Sequence, residues 1–176
     1  MTRRHKVRLT SLIVLSALVV AGGLRVAVAQ GIERVGDFSD WSAFQFSEDG
    51  SAACYMASQP KNSEGNYKRR GDIYAIVTHR PGENRRDEVS IIAGYTFKKD
   101  SSVEVSIGSK KFQLFTQDDG AWAPDKESDK ALVQAMIKGA TMVVKGTSSR
   151  GTLTTDTYSL RGFTKAYQAI NKACGQ

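Results

Sequence analysis

The sequence predicts an all-β protein: a sandwich or barrel of short antiparallel strands, with a short internal helix and a C-terminal helix. Three observations lead there. Turn signals recur about every 8–15 residues, with β-rich runs between them. Gly108-Ser109 forms a two-residue loop between two alternating segments, the pattern of a tight hairpin. Only two stretches carry apolar residues at helical rather than alternate spacing.

Taken in order, the chain opens with a predicted secretory signal over residues 1–29. Arg3, Arg4, Lys6 and Arg8 form a basic start, and Leu12–Leu24 is apolar apart from Ser16 and two glycines. Ala27-Val28-Ala29 then supplies the small residues that a signal peptidase accepts, which places the cut between Ala29 and Gln30. The apolar run ends at Arg25, short of the ~20 residues a membrane-spanning helix needs. No permanent span is therefore expected after cleavage. Residues 30–176 are expected to form a single domain.

Within it the predicted strands are Trp41–Phe46, Ala53–Ser58, Ile73–His79, Val89–Tyr95, Val103–Ile107, Lys111–Thr116, Thr141–Lys145 and Thr152–Ser159. The Gly108-Ser109 loop fixes a register: Ile107 opposite Lys110, Val105 opposite Phe112, Val103 opposite Leu114. Apolar pairs then share one face, while Glu104, Ser106, Lys111 and Gln113 share the other. Ser128–Lys138 is predicted as a helix capped by Ser128 and stopped by Gly139. Phe163–Cys174 has Phe163, Ala166, Tyr167, Ile170 and Cys174 on one helical face.

Charge and cysteines narrow the function. The full chain has 25 Lys and Arg against 18 Asp and Glu, but five of the cations lie in the signal. The remainder is 20 against 18, too balanced for the basic field of a nucleic-acid binder. Cys54 and Cys174 are expected to form a disulfide in an oxidising compartment, two buried thiols being the alternative.

Catalytic, metal-binding and cofactor-binding residues are expected to be absent. His79 is the one histidine after the signal, without obvious co-ligands, and reads as a solvent-facing or hydrogen-bonded strand-end residue. Asp118-Asp119-Gly120 reads as a turn, and no glycine pattern cradles a phosphate. Basic groups remain at Lys68-Arg69-Arg70, Arg80 with Arg85-Arg86, Lys98-Lys99 and Lys110-Lys111. The bland reading is loop charge balanced by neighbouring acids. The sharper one makes Lys68, Arg69, Arg70, Arg85 and Arg86 a contact surface for an unknown protein or an anionic envelope or host-surface partner. Arg70-Gly71-Asp72 also spells an integrin-binding tripeptide, a match short enough to arise by chance.

Asp156-Thr157-Tyr158-Ser159-Leu160-Arg161-Gly162-Phe163, followed by Ala166, Ile170 and Cys174, resembles the invasion-associated locus B family of α-proteobacteria. So do Asp40-Trp41, Cys54-Tyr55, Thr78-His79-Arg80-Pro81, Ile92-Ala93-Gly94-Tyr95 and Lys138-Gly139. The resemblance covers nearly all of the chain after the signal. It implies an immunoglobulin-like sandwich, export to the periplasm or cell surface, a link to host-cell invasion in some pathogens, and no catalytic residues to carry over. Many relatives have a further cysteine where this chain has Phe44-Gln45-Phe46, which implies one bridge here. Function is then expected to be that of a non-enzymatic binding module. A general periplasmic structural or stress-related factor, or an unrecognised enzyme, are the alternatives.

Overall fold

The computed structural model describes residues 31–175; the predicted signal, including the Ala29–Gln30 junction, lies outside them. The strands are β1 (Glu33–Phe38), β2 (Trp41–Glu48), β3 (Ser51–Ser58), β4 (Asn62–Gly65), β5 (Tyr74–Arg80), β6 (Arg85–Ile92), β7 (Ser102–Ile107), β8 (Lys110–Gln117), β9 (Gly120–Trp122), β10 (Thr141–Thr147) and β11 (Leu153–Ser159). Helices α1 (Lys126–Lys138) and α2 (Phe163–Ala173) follow β9 and β11.

All pairings are antiparallel, in the order β1-β2-β3-β5-β6-β9-β8-β7-β10-β11-β4. Among the described residues, the two halves of this sheet are joined strand to strand through three-residue β9. The halves fold towards each other. The indole of Trp41 in β2, second from one edge, donates to the carbonyl of Ser159 in β11, second from the other, at 3.0 Å. The result is an all-β, sandwich-like fold with a helix at its C-terminus.

Alternation builds the core. Trp41, Ala43, Cys54, Met56, Ala75, Val77, Val89 and Ile91 point inward from one half; Val103, Val105, Leu114, Met142, Val144 and Tyr158 do so from the other. Each large side chain in this cluster is worth about 1.5–3 kcal/mol of burial. The β7–β8 hairpin has the predicted register, Ile107↔Lys110, Val105↔Phe112 and Val103↔Leu114, with Gly108 at φ 58° opening the turn. Its outer face holds the Lys111–Glu104 ion pair at 3.1 Å.

The two helices close different openings. α1 starts two residues earlier than predicted: Asp125, not Ser128, is the N-cap, and its side chain accepts from the Ser128 N–H at 2.7 Å. Where β9 ends, the Val89 N–H of β6 loses its strand partner and donates to Asp129 of α1 instead, at 2.9 Å. α2 runs along the inner face of β2 and β3. Phe163 meets Trp41 edge-on, Tyr167 meets His79, and Cys174 bonds Cys54, with a Cα–Cα distance of 6.0 Å. Gly162 starts this helix at φ 91°, against the backbone of Phe38, where a Cβ would collide with the Phe38 carbonyl.

Several elements depart from expectation. β1, β4 and β9 were not predicted, and β6 begins at Arg85 and ends at Ile92 rather than running Val89–Tyr95. Asn84 at φ 52° and Asp87 at φ 60° shape the tight β5–β6 connection, around a 3-10 turn at Pro81–Glu83.

Candidate functional site

The residues that make the sequence recognisable turn out to hold the fold together. Tyr158 and Phe163 are fully buried, Trp41 ties β2 to β11, and Cys54 and Cys174 staple α2 to β3. His79 belongs to the same set and is not a solvent-facing residue. It pairs with Cys54 in register, is 0% exposed, and has both ring nitrogens engaged. Nδ1 accepts the Asp87 N–H at 3.1 Å, which leaves the proton on Nε2, 2.9 Å from the Asn171 side-chain oxygen. Burial, partly offset by the Asp87 charge, holds the imidazole below its usual pKa and therefore neutral. Tyr167 donates to the Asp87 carboxylate at 2.7 Å, and burial foremost pushes its hydroxyl up to about 12. Within this network His79 has no exposed surface of its own. Among the described residues no group of His, Cys, Asp and Glu is arranged to hold a metal ion, and no helix is long and apolar enough to cross a membrane.

The five basic residues singled out in the sequence do not form one surface. Arg85 and Arg86 line a cleft of about 370 Å³ together with Phe115, Trp122, Lys126 and Asp129. Each of the three cations there has a polar partner. Arg85 pairs with Glu83 and Glu88, Arg86 reaches Asn171, and Lys126 donates to the Asn84 carbonyl. Arg80 beside them is matched by Glu48 and Glu88.

Lys68, Arg69 and Arg70 line a second, larger cleft of about 790 Å³, between the 66–71 loop, residues 94–96 and the 148–154 turn. Arg70 is a correction to the surface set, because its side chain is only 4% exposed. The guanidinium forks onto Asp156 at 2.7 and 2.6 Å and donates to the Ala93 carbonyl at 2.6 Å. It also lies over the rings of Tyr95 and Tyr67, at 4.8 and 5.6 Å from their centroids. Arg70 therefore builds the floor of the cleft, and the Arg70-Gly71-Asp72 tripeptide cannot present its arginine to an integrin. Gly71 and Gly94 are in backbone contact beside it, with a hydrogen bond of 2.9 Å from the Gly71 N–H to the Gly94 carbonyl, so a side chain at either would push the walls apart.

Above that floor, Lys68, Arg69 and Arg150 are exposed and make no ion pair among the described residues. Arg150 was not among the sequence candidates. It sits 80 residues from Arg70, and only the β10–β11 turn brings it to the same rim. Asn66, Tyr67, Ser149 and Thr152 also line the cleft, while the Ser148 hydroxyl accepts the Thr152 N–H at 3.2 Å and the Tyr95 hydroxyl bonds Thr154 at 2.7 Å. The two clefts thus differ in how their cations are held: in the first, Arg85 is ion-paired and Arg86 and Lys126 are hydrogen-bonded to neutral oxygens, whereas Lys68, Arg69 and Arg150 make neither kind of contact among the described residues.

Comparison with known proteins follows the same lines. The family model described as Invasion associated locus B (IalB) protein matches residues 41–171. Among solved structures, the chain resembles the crystal structure of invasion associated protein B from Bartonella henselae. The TM-score is 0.57 at 15% identity, over 78% of this chain and 94% of that one. At that identity the likeness is one of fold. No curated protein matches the chain.

Proposed function

Because the chain belongs to the invasion associated locus B family, we propose that it is an exported, non-enzymatic binding module that takes an anionic partner in the Lys68–Arg69–Arg150 cleft. One observation carries this reading: three cations converge on a concave, polar site and none has a carboxylate of its own. Arg80, Arg85, Lys111 and Arg34, by contrast, are each held by a carboxylate. Unmatched charge in a cleft raises the local concentration of an oppositely charged partner and speeds encounter.

Export is supported by the three-part leader and by the Cys54–Cys174 bond, which suits an oxidising compartment such as the periplasm or cell surface. The buried, doubly engaged His79 speaks for binding rather than hydrolysis. A role in contact with host cells belongs to the same proposal, as does a role inside the bacterial envelope with no host present.

The test is a photo-crosslinking residue at Ser149 in intact cells. Adducts are expected with the native rim, and their loss in the triple variant Lys68→Glu, Arg69→Glu, Arg150→Glu, at an unchanged melting temperature. Adducts that survive the reversal would show that the cleft is not the contact surface. Reversal of Arg85 and Arg86, which line the other cleft, should leave the adducts in place.

A further inference from the structure

We propose that the larger cleft is a saccharide site: it takes a short glycan bearing carboxylate, sulfate or phosphate groups. This inference rests on the reading of that cleft as the binding surface and names the chemistry of its ligand.

Size is the first argument. A volume of about 790 Å³ falls within the ~300–1,000 Å³ of small-ligand sites, whereas a stable protein partner would cover about 800 Å² of surface. The second is the lining, which matches the two-sided character of a sugar ring. Pyranoses have one face of C–H groups and a rim of hydroxyls. Tyr67, 37% exposed, offers a ring for the C–H face. Asn66, Ser149 and Thr152 offer groups that both donate and accept, as a ring of hydroxyls requires.

Charge placement is the third. The buried Arg70 has its charge cancelled by Asp156 and holds Tyr95 against it, so the floor is neutral and fixed before any ligand arrives. All the unmatched charge is at the rim, on Lys68, Arg69 and Arg150, where the acidic substituents of a glycan lying in the cleft would project. Arginine adds fork geometry for carboxylate, sulfate or phosphate. A single-stranded nucleic acid would instead need a row of exposed aromatics along a continuous basic track. Here one tyrosine is exposed, and the basic rim is short.

Isothermal titration calorimetry on the mature protein decides the matter with three probes: a heparin-derived tetrasaccharide, a bis-phosphorylated glucosamine disaccharide, and hexaglutamate. At least one saccharide should bind, about 10-fold more weakly after Arg150→Glu and about 5-fold more weakly after Tyr67→Ala. Tyr67→Phe, which keeps the ring, should bind like wild type, and melting curves establish that each variant is folded. Preference for the sulfated probe would point to a host-surface glycan, and preference for the phosphorylated one to the bacterial envelope. Should hexaglutamate bind as tightly as the sugars, with Tyr67→Ala silent, the saccharide inference is overturned while the anionic-partner reading stands. Should no probe bind, or binding ignore Arg150→Glu, both fall together.

Discussion

Arg70 and Asp156 form a fork-to-fork ion pair across 86 residues of sequence, with side chains 4% and 3% exposed. It pins the 66–71 loop to the penultimate strand of the sheet and so ties the candidate site to the frame that supports it. Breaking such a pair from one side is expensive, because the surviving charge stays buried without its partner. Asp156→Asn should therefore cost about 3–5 kcal/mol in urea denaturation. The double variant Arg70→Met, Asp156→Leu should recover most of that loss. A single substitution costing under ~1 kcal/mol would mean that water reaches the pair.

Asp129 gives stability an acid-side preference. Burial foremost, with the nearby Glu88, Asp87 and Asp125 charges, pushes its carboxyl from 3.8 up to about 6, against the effect of the Val89 N–H it accepts. The folded state therefore holds this proton more tightly than the unfolded state. The contribution is fully present below about pH 4 and is lost as pH rises through about 6, a swing on the order of 2–3 kcal/mol. Asp129→Asn keeps an acceptor for Val89 and removes the charge. Denaturation curves should show the variant gaining over wild type at pH 8 and the gap closing at pH 4.

His79 works in the opposite direction. Its folded value lies below the ordinary imidazole value of 6.5, so stability is lost as pH falls below that point. His79→Gln should flatten the acid limb of the stability profile at some cost in packing, measurable by the same denaturation series. An unchanged acid limb would mean that another group sets it.

Tyr158 is 0% exposed, and its hydroxyl has no hydrogen-bond partner among the described residues. Removing that oxygen removes an uncompensated desolvation. Tyr158→Phe should be neutral or stabilising by up to about 1 kcal/mol, an unusual result for a residue at the centre of the recognisable motif. Loss of more than ~1 kcal/mol in thermal melts would reveal a partner for the hydroxyl in solution.

The Cys54–Cys174 bond closes a loop of 120 residues, worth about 4–5 kcal/mol in the chain-entropy account. Replacing both cysteines by serine should lower the melting temperature and loosen α2 first, visible as faster amide exchange over Phe163–Ala173 than over β7 and β8. Mass spectrometry of a non-reduced digest should recover the linked peptides.

What was legible in the sequence was what local chemistry determines. The β7–β8 register follows from Gly108-Ser109 and the alternation on either side, and α2 from five apolar residues at helical spacing. The strands that escaped notice have no local signal. Asn62–Gly65 has no apolar side chain and is a strand only because β11 lies beside it; Gly120–Trp122 is too short to show a period. Asp125 displaced Ser128 as the cap because it stands immediately before the first helical turn with its side chain free to accept. At the candidate site, Lys68 and Arg69 were legible as loop charge. Arg150 and the burial of Arg70 were not, since both depend on β11 lying against the 66–71 loop.

The two strands that end the sheet, β1 and β4, govern how the protein avoids adding copies of itself. An open strand edge is a template for another chain. β4 offers only four residues, three polar and a glycine, and β1 is broken by a bulge between Arg34 and Gly36 and carries Glu33, Arg34 and Asp37. The strand inside β1 is a different matter: β2 is eight residues long, with Trp41 and Ala43 on one side and Phe44 and Phe46 on the other. Proteolytic loss of β1 would uncover it, turning a guarded margin into a seed for polymerisation.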